Sequence, residues 1–278
     1  MHCYLVDGTL FDTGLGLGEA PWGSVEVERI AITHFHPDHV GGAEAAAAAT
    51  GARVFQGALD YAQCARVWGS DDWPERMAAW FVTHGVPADA ANDLIEQGHA
   101  FAAFIRYALD PELLYEGSEL DGWNVVELPG HADGHLGFLR DGMLIGGDHL
   151  LQPISPAIGL YPESRPDPLG DYLASLERTL ELAPRIVYPG HGDPIRNPAE
   201  RAAELIAYHH RRLDETAAAL SSEPRTAYDV SLAVFGAELG PTQRRFAVAE
   251  TLSHLERLVR EGRAARGGDR GTVTYTGS

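Results

Sequence analysis

The sequence contains no lysine, and its 21 basic residues are all arginines. Against them stand 40 aspartates and glutamates, giving a formal net charge of −19 at pH 7. Nucleic-acid binding rests on neutralising phosphates, so a body this acidic should repel a polyanion. The imbalance is uneven, however. Residues 1–200 carry 10 Arg and 30 acids, whereas residues 201–278 carry 11 Arg and 10 acids, so the C-terminal segment escapes that exclusion. Cysteine is scarce too: only Cys3 and Cys64 occur, which rules out a disulfide framework and a thiolate zinc knuckle. Any metal must be held by imidazoles and carboxylates, and thirteen histidines are available. No apolar run approaches the ~20 residues of a membrane span. The opening residues Met1 to Asp12 lack the basic region and cleavage site of a signal peptide. A cytoplasmic protein without a membrane partner is the expectation.

What is present reads as an alternation of strands and helices. Cys3 to Asp7 and Thr9 to Asp12 suggest two short strands around an Asp7-Gly8 turn. Val25 to Thr33 suits a strand with a buried end, Ala43 to Thr50 a helix stopped by Gly51, and Arg53 to Phe55 the next strand. Residues 57–110 differ, with helical stretches expected near 57–67, 74–84 and 88–108 and an abundance of aromatic rings. Strands resume at Trp123 to Leu128, Leu136 to Leu139 and Met143 to Ile145. An amphipathic helix follows over Pro168 to Leu182, then a strand over Arg185 to Tyr188. Beyond Pro198 the pattern is helical over 199–220, 227–235 and 242–261, and it closes with a hairpin around Gly267 to Gly271. Three helices and a hairpin make the order of a winged-helix unit. The division expected is 1–198 for a catalytic domain, with 57–110 as a helical insertion, and 199–278 for the C-terminal segment.

The chemistry concentrates in His34-Phe-His36-Pro-Asp38-His39, directly after a hydrophobic strand. Four metal-type side chains within six positions exceed what an incidental surface loop carries, and Zn²⁺, Fe and Mn²⁺ all accept such ligands. If the stretch is extended, His34, His36 and Asp38 share one face and His39 points elsewhere, so the loop can serve two adjacent ions. Three later segments follow strands in the same way: Leu128-Pro-Gly-His131-Ala-Asp-Gly-His135, Gly146-Gly-Asp148 and Tyr188-Pro-Gly-His191-Gly.

In this order the four motifs resemble the signature of the metallo-β-lactamase superfamily, over most of residues 3–195. The resemblance implies an α/β fold, an αββα sandwich with ligand loops on one edge. It also implies two divalent metal ions, zinc by first choice with iron or manganese as alternatives. His34, His36 and His131 would hold one ion, Asp38, His39 and His191 the other, and Asp148 would bridge. A hydroxide between the ions is then the expected nucleophile, which makes Asp38 and Asp148 part of the catalytic apparatus. Asp12, Asp133, His135 and His149 are expected to support the ligands rather than join them. The remaining histidines (His2, His84, His99, His209, His210 and His254) stand outside any motif and read as surface or helix-face residues.

Branches of the superfamily can be separated by what is missing. The common lactamases place cysteine where Asp148 stands. Flavodiiron proteins replace the second histidine by glutamate, and nucleases of one branch carry a large domain between the last ligands. What remains is the glyoxalase II-like and lactonase-like group, with a tail resembling the winged-helix-like end found in acyl-carrier thioesterases and an endoribonuclease. The leading expectation is therefore hydrolysis of an ester or thioester, with a small-molecule or acyl-carrier substrate. Tyr161, Arg165, Trp80 and Phe104 are candidate substrate contacts, and the aromatic block serves either as plain packing or as a lid. One rival is an RNA-cleaving phosphodiesterase using Arg257, Arg260, Arg263, Arg266 and Arg270. The other is a non-catalytic metal-binding module whose tail binds DNA or makes a homodimer.

Overall fold

The structure is a computed structural model that describes residues 1–17, 21–269 and 271–278. Its first sheet runs in the order β1 (Tyr4–Val6), β2 (Thr9–Phe11), β3 (Arg29–Ile32), β4 (Arg53–Gly57) and β5 (Glu112–Leu114). Strands β1 and β2 are antiparallel, and the other neighbours are parallel. The second sheet is formed by β6 (Glu119–Leu120), β7 (Trp123–Glu127), β8 (Leu136–Arg140), β9 (Met143–Gly147) and β10 (Ile186–Pro189), hydrogen-bonded in that order. Only β9 and β10 pair in parallel. Asp7 and Gly8 have φ values of 47° and 77°, as the two-residue turn joining β1 to β2 requires.

Side-chain alternation explains the layers. Phe11 and Ala31 face Trp123, Val125, Phe138 and Ile145 between the sheets, while Leu10, Ile30 and Ile32 face the opposite way. That outer side is covered by α1 (Pro37–Val40), α2 (Ala43–Thr50) and α3 (Ala58–Val67). On the second sheet, Val126, Leu128 and Val187 turn outward onto α6 (Pro168–Leu182) and α7 (Pro198–Ala218). Helix, sheet, sheet, helix is the αββα sandwich expected.

Two further helices, α4 (Trp73–Thr83) and α5 (Ala88–Ala102), follow α3 within residues 57–110, the stretch expected as an insertion. Helix α5 ends six residues short of the expected 108. Phe104 is 56% exposed there, so an aromatic residue that sequence pattern assigns to a helix face has nothing to pack on. After residue 198 come α7, α8 (Ala227–Phe235), α9 (Pro241–Arg260) and a hairpin of β11 (Ala264–Asp269) with β12 (Thr272–Gly277). Helix α9 buries Val248, Leu252 and Leu255 completely, within a cluster that includes Met77 and Phe81 of α4 and Leu94 of α5. The insertion therefore leans on the C-terminal segment as well as on the sandwich. His84, His209 and His254, expected at the surface, are buried in these contacts.

Candidate metal centre

Strands β3, β7, β9 and β10 deliver their following loops to one edge of the sandwich, and all seven motif residues meet there. His34 Nε2 lies 3.0 Å from His36 Nδ1, which lies 2.9 Å from His131 Nε2. His191 Nε2 approaches Asp38 Oδ2 at 3.0 Å, and His39 Nε2 approaches the same oxygen at 3.6 Å. Asp148 sits among the imidazoles, 3.5 Å from His39 Nε2 and 3.6 Å from both His131 and His191 Nε2. Among the described residues, three sets could hold an ion: His34, His36 and His131; His34, His39 and Asp148; Asp38, His39 and His191.

The surroundings fix which ring nitrogens face inward. His131 Nδ1–H donates to the Ala157 carbonyl (2.8 Å), leaving Nε2 for the cluster. Thr33 gives its hydroxyl proton to Asp12 Oδ2 (2.8 Å) and so accepts from His34 Nδ1–H (3.0 Å). Asp12 also accepts the Thr33 amide (2.8 Å) and His39 Nδ1–H (2.7 Å). Asp12 thus contacts the motif residues from outside the cluster, as does His135. The fully buried His135 ring stacks on His34 at 4.8 Å, and its Nε2 accepts the Asp148 amide at 3.2 Å. Sequence reading missed Asp60, which is buried and accepts the Phe35 amide (2.8 Å) and Gln56 Nε2 (2.6 Å), holding the backbone between His34 and His36. No motif marks it, because its role depends on α3 returning beneath the ligand loop. Gly190 is required sterically: a Cβ there would meet Asp148 Oδ1 at 2.4 Å and His39 Cε1 at 2.6 Å.

The residues fit a bound cation on two counts. His39 Nε2 and Asp148 Oδ1 are buried without hydrogen-bond partners, an arrangement that costs free energy unless something positive completes it. The charges also divide the cluster. Burial, reinforced by the neighbouring imidazoles, pushes His34 well below its ordinary range, and burial with His131 lowers His36 to about 3. Both are therefore neutral, as ligands must be. For His39 burial acts in the same direction, yet Asp12 and Asp148 prevail and raise it to about 10. Asp38 is likewise opposed by burial but held to about 2 by His191 and His39. The first group thus keeps its imidazoles unprotonated, and in the second the carboxylates favour positive charge, as a proton on His39 or as a cation in its place.

Comparison with known proteins agrees with this geometry. Residues 2–191 match the family model described as metallo-beta-lactamase superfamily, and residues 213–277 match one described as metallo-beta-lactamase-like, C-terminal domain. The chain belongs to the metallo-β-lactamase superfamily. Its similar relatives include the Bacillus subtilis protein named probable metallo-hydrolase YqjP, 30% identical over 93% of this chain and 87% of that one. A hydroxyacylglutathione hydrolase of Methylobacillus flagellatus is 28% identical over 76% of this chain and 67% of its own length. Among solved structures, a metallo-beta-lactamase family protein from Thermus thermophilus superposes with a TM-score of 0.82 at 33% identity, covering 99% of this chain and 92% of that one.

In this superfamily member the metal-type cluster opens into a cavity of about 910 Å³. Its walls are largely apolar: Val67, Trp68, Trp73 and Met77 from the insertion, Phe246 from α9. Glu163 pins the insertion across the cavity, accepting Trp73 Nε1 at 3.2 Å and pairing with Arg76 at 3.1 Å. The four expected substrate contacts divide. Tyr161 lines the cavity. Trp80 instead packs on His84 with ring centroids 4.4 Å apart, Phe104 points to solvent, and the Arg165 guanidinium turns to Asp171 at 3.4 Å. Arg165 contributes through its backbone, whose N–H donates to Asp133 (2.8 Å) alongside Gln63 Nε2 (2.9 Å). Asp133 is thereby tied into the cavity wall. Arg245 and Phe246, which also line the cavity, had no signal in the sequence beyond belonging to a helix.

Proposed function

We propose that this chain hydrolyses an ester or thioester with an apolar acyl portion, using two divalent cations. One would be held by His34, His36 and His131 and the other by Asp38, His39 and His191, with Asp148 shared. Such cations, whether zinc, iron or manganese, lower the pKa of water towards neutrality and stabilise negative charge developing on the attacked carbonyl. The chain's own residues supply the rest. Asp12 and Thr33 orient the imidazoles, Asp60 fixes the loop, and the aromatic wall excludes bulk water from the acyl group.

The single observation carrying this reading is the union of a His/Asp cluster with a large, mostly apolar cavity. A polyanionic substrate would meet Asp38, Asp133, Asp148 and Glu163 on the same walls. The relative whose name specifies an acylated thiol, hydroxyacylglutathione hydrolase, supports the same bond type. Metal-reconstituted protein should turn over generic thioester and ester reporters, lose that activity on chelation, and leave a phosphodiester reporter intact. Cleavage of the phosphodiester alone would replace this reading with a nuclease.

A further inference from the structure

The cavity contains one cation that no carboxylate claims. Arg245 is the one arginine among the described residues that line it, and the protein has no lysine to offer instead. Its Nε is buried without a hydrogen-bond partner, and its guanidinium lies over the Phe246 ring, 4.7 Å from the centroid. Of the acids nearby, Glu163 is held by Arg76 and Trp73, and Glu250, one of whose oxygens is buried without a partner, makes no ion pair with Arg245 among the described residues. In a chain with 40 acids and 21 arginines, the partly buried Arg245 makes no ion pair among the described residues.

Tyr161 reaches the same wall. Its loop is fastened to α9 by Leu160 N–H donating to the Ala249 carbonyl at 3.0 Å. Gly159 makes the close approach possible, since a Cβ there would meet the Tyr161 ring at 2.7 Å and Ala249 at 3.0 Å. Burial raises the Tyr161 hydroxyl above its ordinary range, the Arg245 charge opposing that effect and the Glu250 charge adding to it. Neither the phenol nor the guanidinium has a hydrogen-bonding partner of its own among the described residues.

From this we infer that Arg245 and Tyr161 form an anchor for one anionic group, a carboxylate or phosphate, borne by the substrate of the hydrolysis proposed above. A guanidinium fork matches the oxygens of either group, and stacking on Phe246 leaves that fork free while restricting its motion. One arginine among several acids limits the ligand to a single such group. The apolar wall then receives the neutral part of the molecule. The anion can belong to the acyl half, as a terminal carboxylate, or to the thiol half, as a phosphate.

Binding calorimetry on zinc-reconstituted protein separates these sources without requiring turnover. Glutaramate, the monoamide of glutarate, is compared with pentanamide for the acyl half, and 4′-phosphopantetheine with pantetheine for the thiol half. In one pair the anionic member should bind at least about tenfold more tightly, the scale of a charge-assisted hydrogen-bonded pair. Arg245→Gln should erase that preference, Arg245→Lys should retain part of it, and Tyr161→Phe should reduce it. Where the acyl pair shows the preference, Arg245→Gln should raise KM for the glutaryl thioester of N-acetylcysteamine about tenfold more than for the pentanoyl thioester. No preference in either pair, or one that survives Arg245→Gln in a normally folded protein, overturns the anchor. Failure to hydrolyse any thioester or ester counts against the hydrolase reading instead, and the binding comparison still decides the anchor.

Discussion

His39 is gripped from both edges of its ring, by Asp12 at Nδ1 and by Asp38 and Asp148 at Nε2. The Asp12 contact sets the tautomer that leaves Nε2 for a cation, and loss of such a support typically weakens metal affinity by about 10–100-fold. Asp12→Ala should show a loss on that scale in a chelator competition, and Asp12→Asn a smaller one; unchanged affinity would remove Asp12 from the centre. Asp148→Ala should release at least one ion and nearly all hydrolysis, since on the proposed reading two cations would then share less compensating charge. Retention of two ions and wild-type turnover, by elemental analysis and a thioester assay, would contradict the shared ligand. These seven residues could be read in the sequence because their density after strands has few structural explanations. Asp60 and Thr33 could not, since each acts through a neighbour that only the folded chain brings near.

Helices α7 and α9 meet through a buried pair of imidazoles. His209 and His254 stack with centroids 5.5 Å apart; His209 also meets the edge of Tyr172 from α6, and Arg212 lies on its own helix. Burial first, then the partner imidazole and Arg212, lowers His209 to about 3. Burial and Arg212, partly opposed by the Glu250 carbonyl, lower His254 to about 4. An unfolded imidazole titrates near 6.5, so between that pH and about 4 the unfolded chain binds more protons than the folded one. The stability of this contact is full above pH 6.5 and is lost as pH falls. Melting temperatures should drop from pH 7 to 5, and a His209→Gln, His254→Gln double variant should drop less steeply. An unaltered slope would mean that the pair does not titrate on unfolding. Sequence patterning located these helices within a residue or two but assigned their histidines to the surface. Periodicity marks an apolar face, and it does not reveal a neutral imidazole used as a packing ring. The short strands β5 and β6 were missed for a related reason: two or three residues are too few to establish a period.

At the scale of the molecule, the C-terminal segment and the sandwich share one core. Leu128, Leu144 and Val187 of the second sheet belong to the same buried cluster as Leu169 and Leu176 of α6, Leu205 and Leu213 of α7, and Leu258 of α9. Ending the chain at residue 198 would expose much of that cluster, so the fragment should aggregate or fail to fold, and the intact protein should melt in one transition. A soluble, cooperative fragment would show two independent units. Four of the arginines weighed for RNA are occupied: Arg257 by Asp167 and Glu261, Arg260 by Asp167, Arg263 by Asp214, Arg266 by Glu256. Arg270 lies outside the described residues. Titration of labelled single-stranded RNA at two ionic strengths should therefore reveal no tight, salt-sensitive complex; finding one with metal-dependent cleavage would favour the nuclease. Finally, the cavity draws its metal-binding end from strand-end loops but its walls from α4, α5 and the first turns of α9. A lineage can therefore drift in what it consumes while the reacting centre stays untouched. A mutational library confined to residues 97–101 and 242–246 would retrace such drift in the laboratory, exchanging one substrate preference for another at constant metal content.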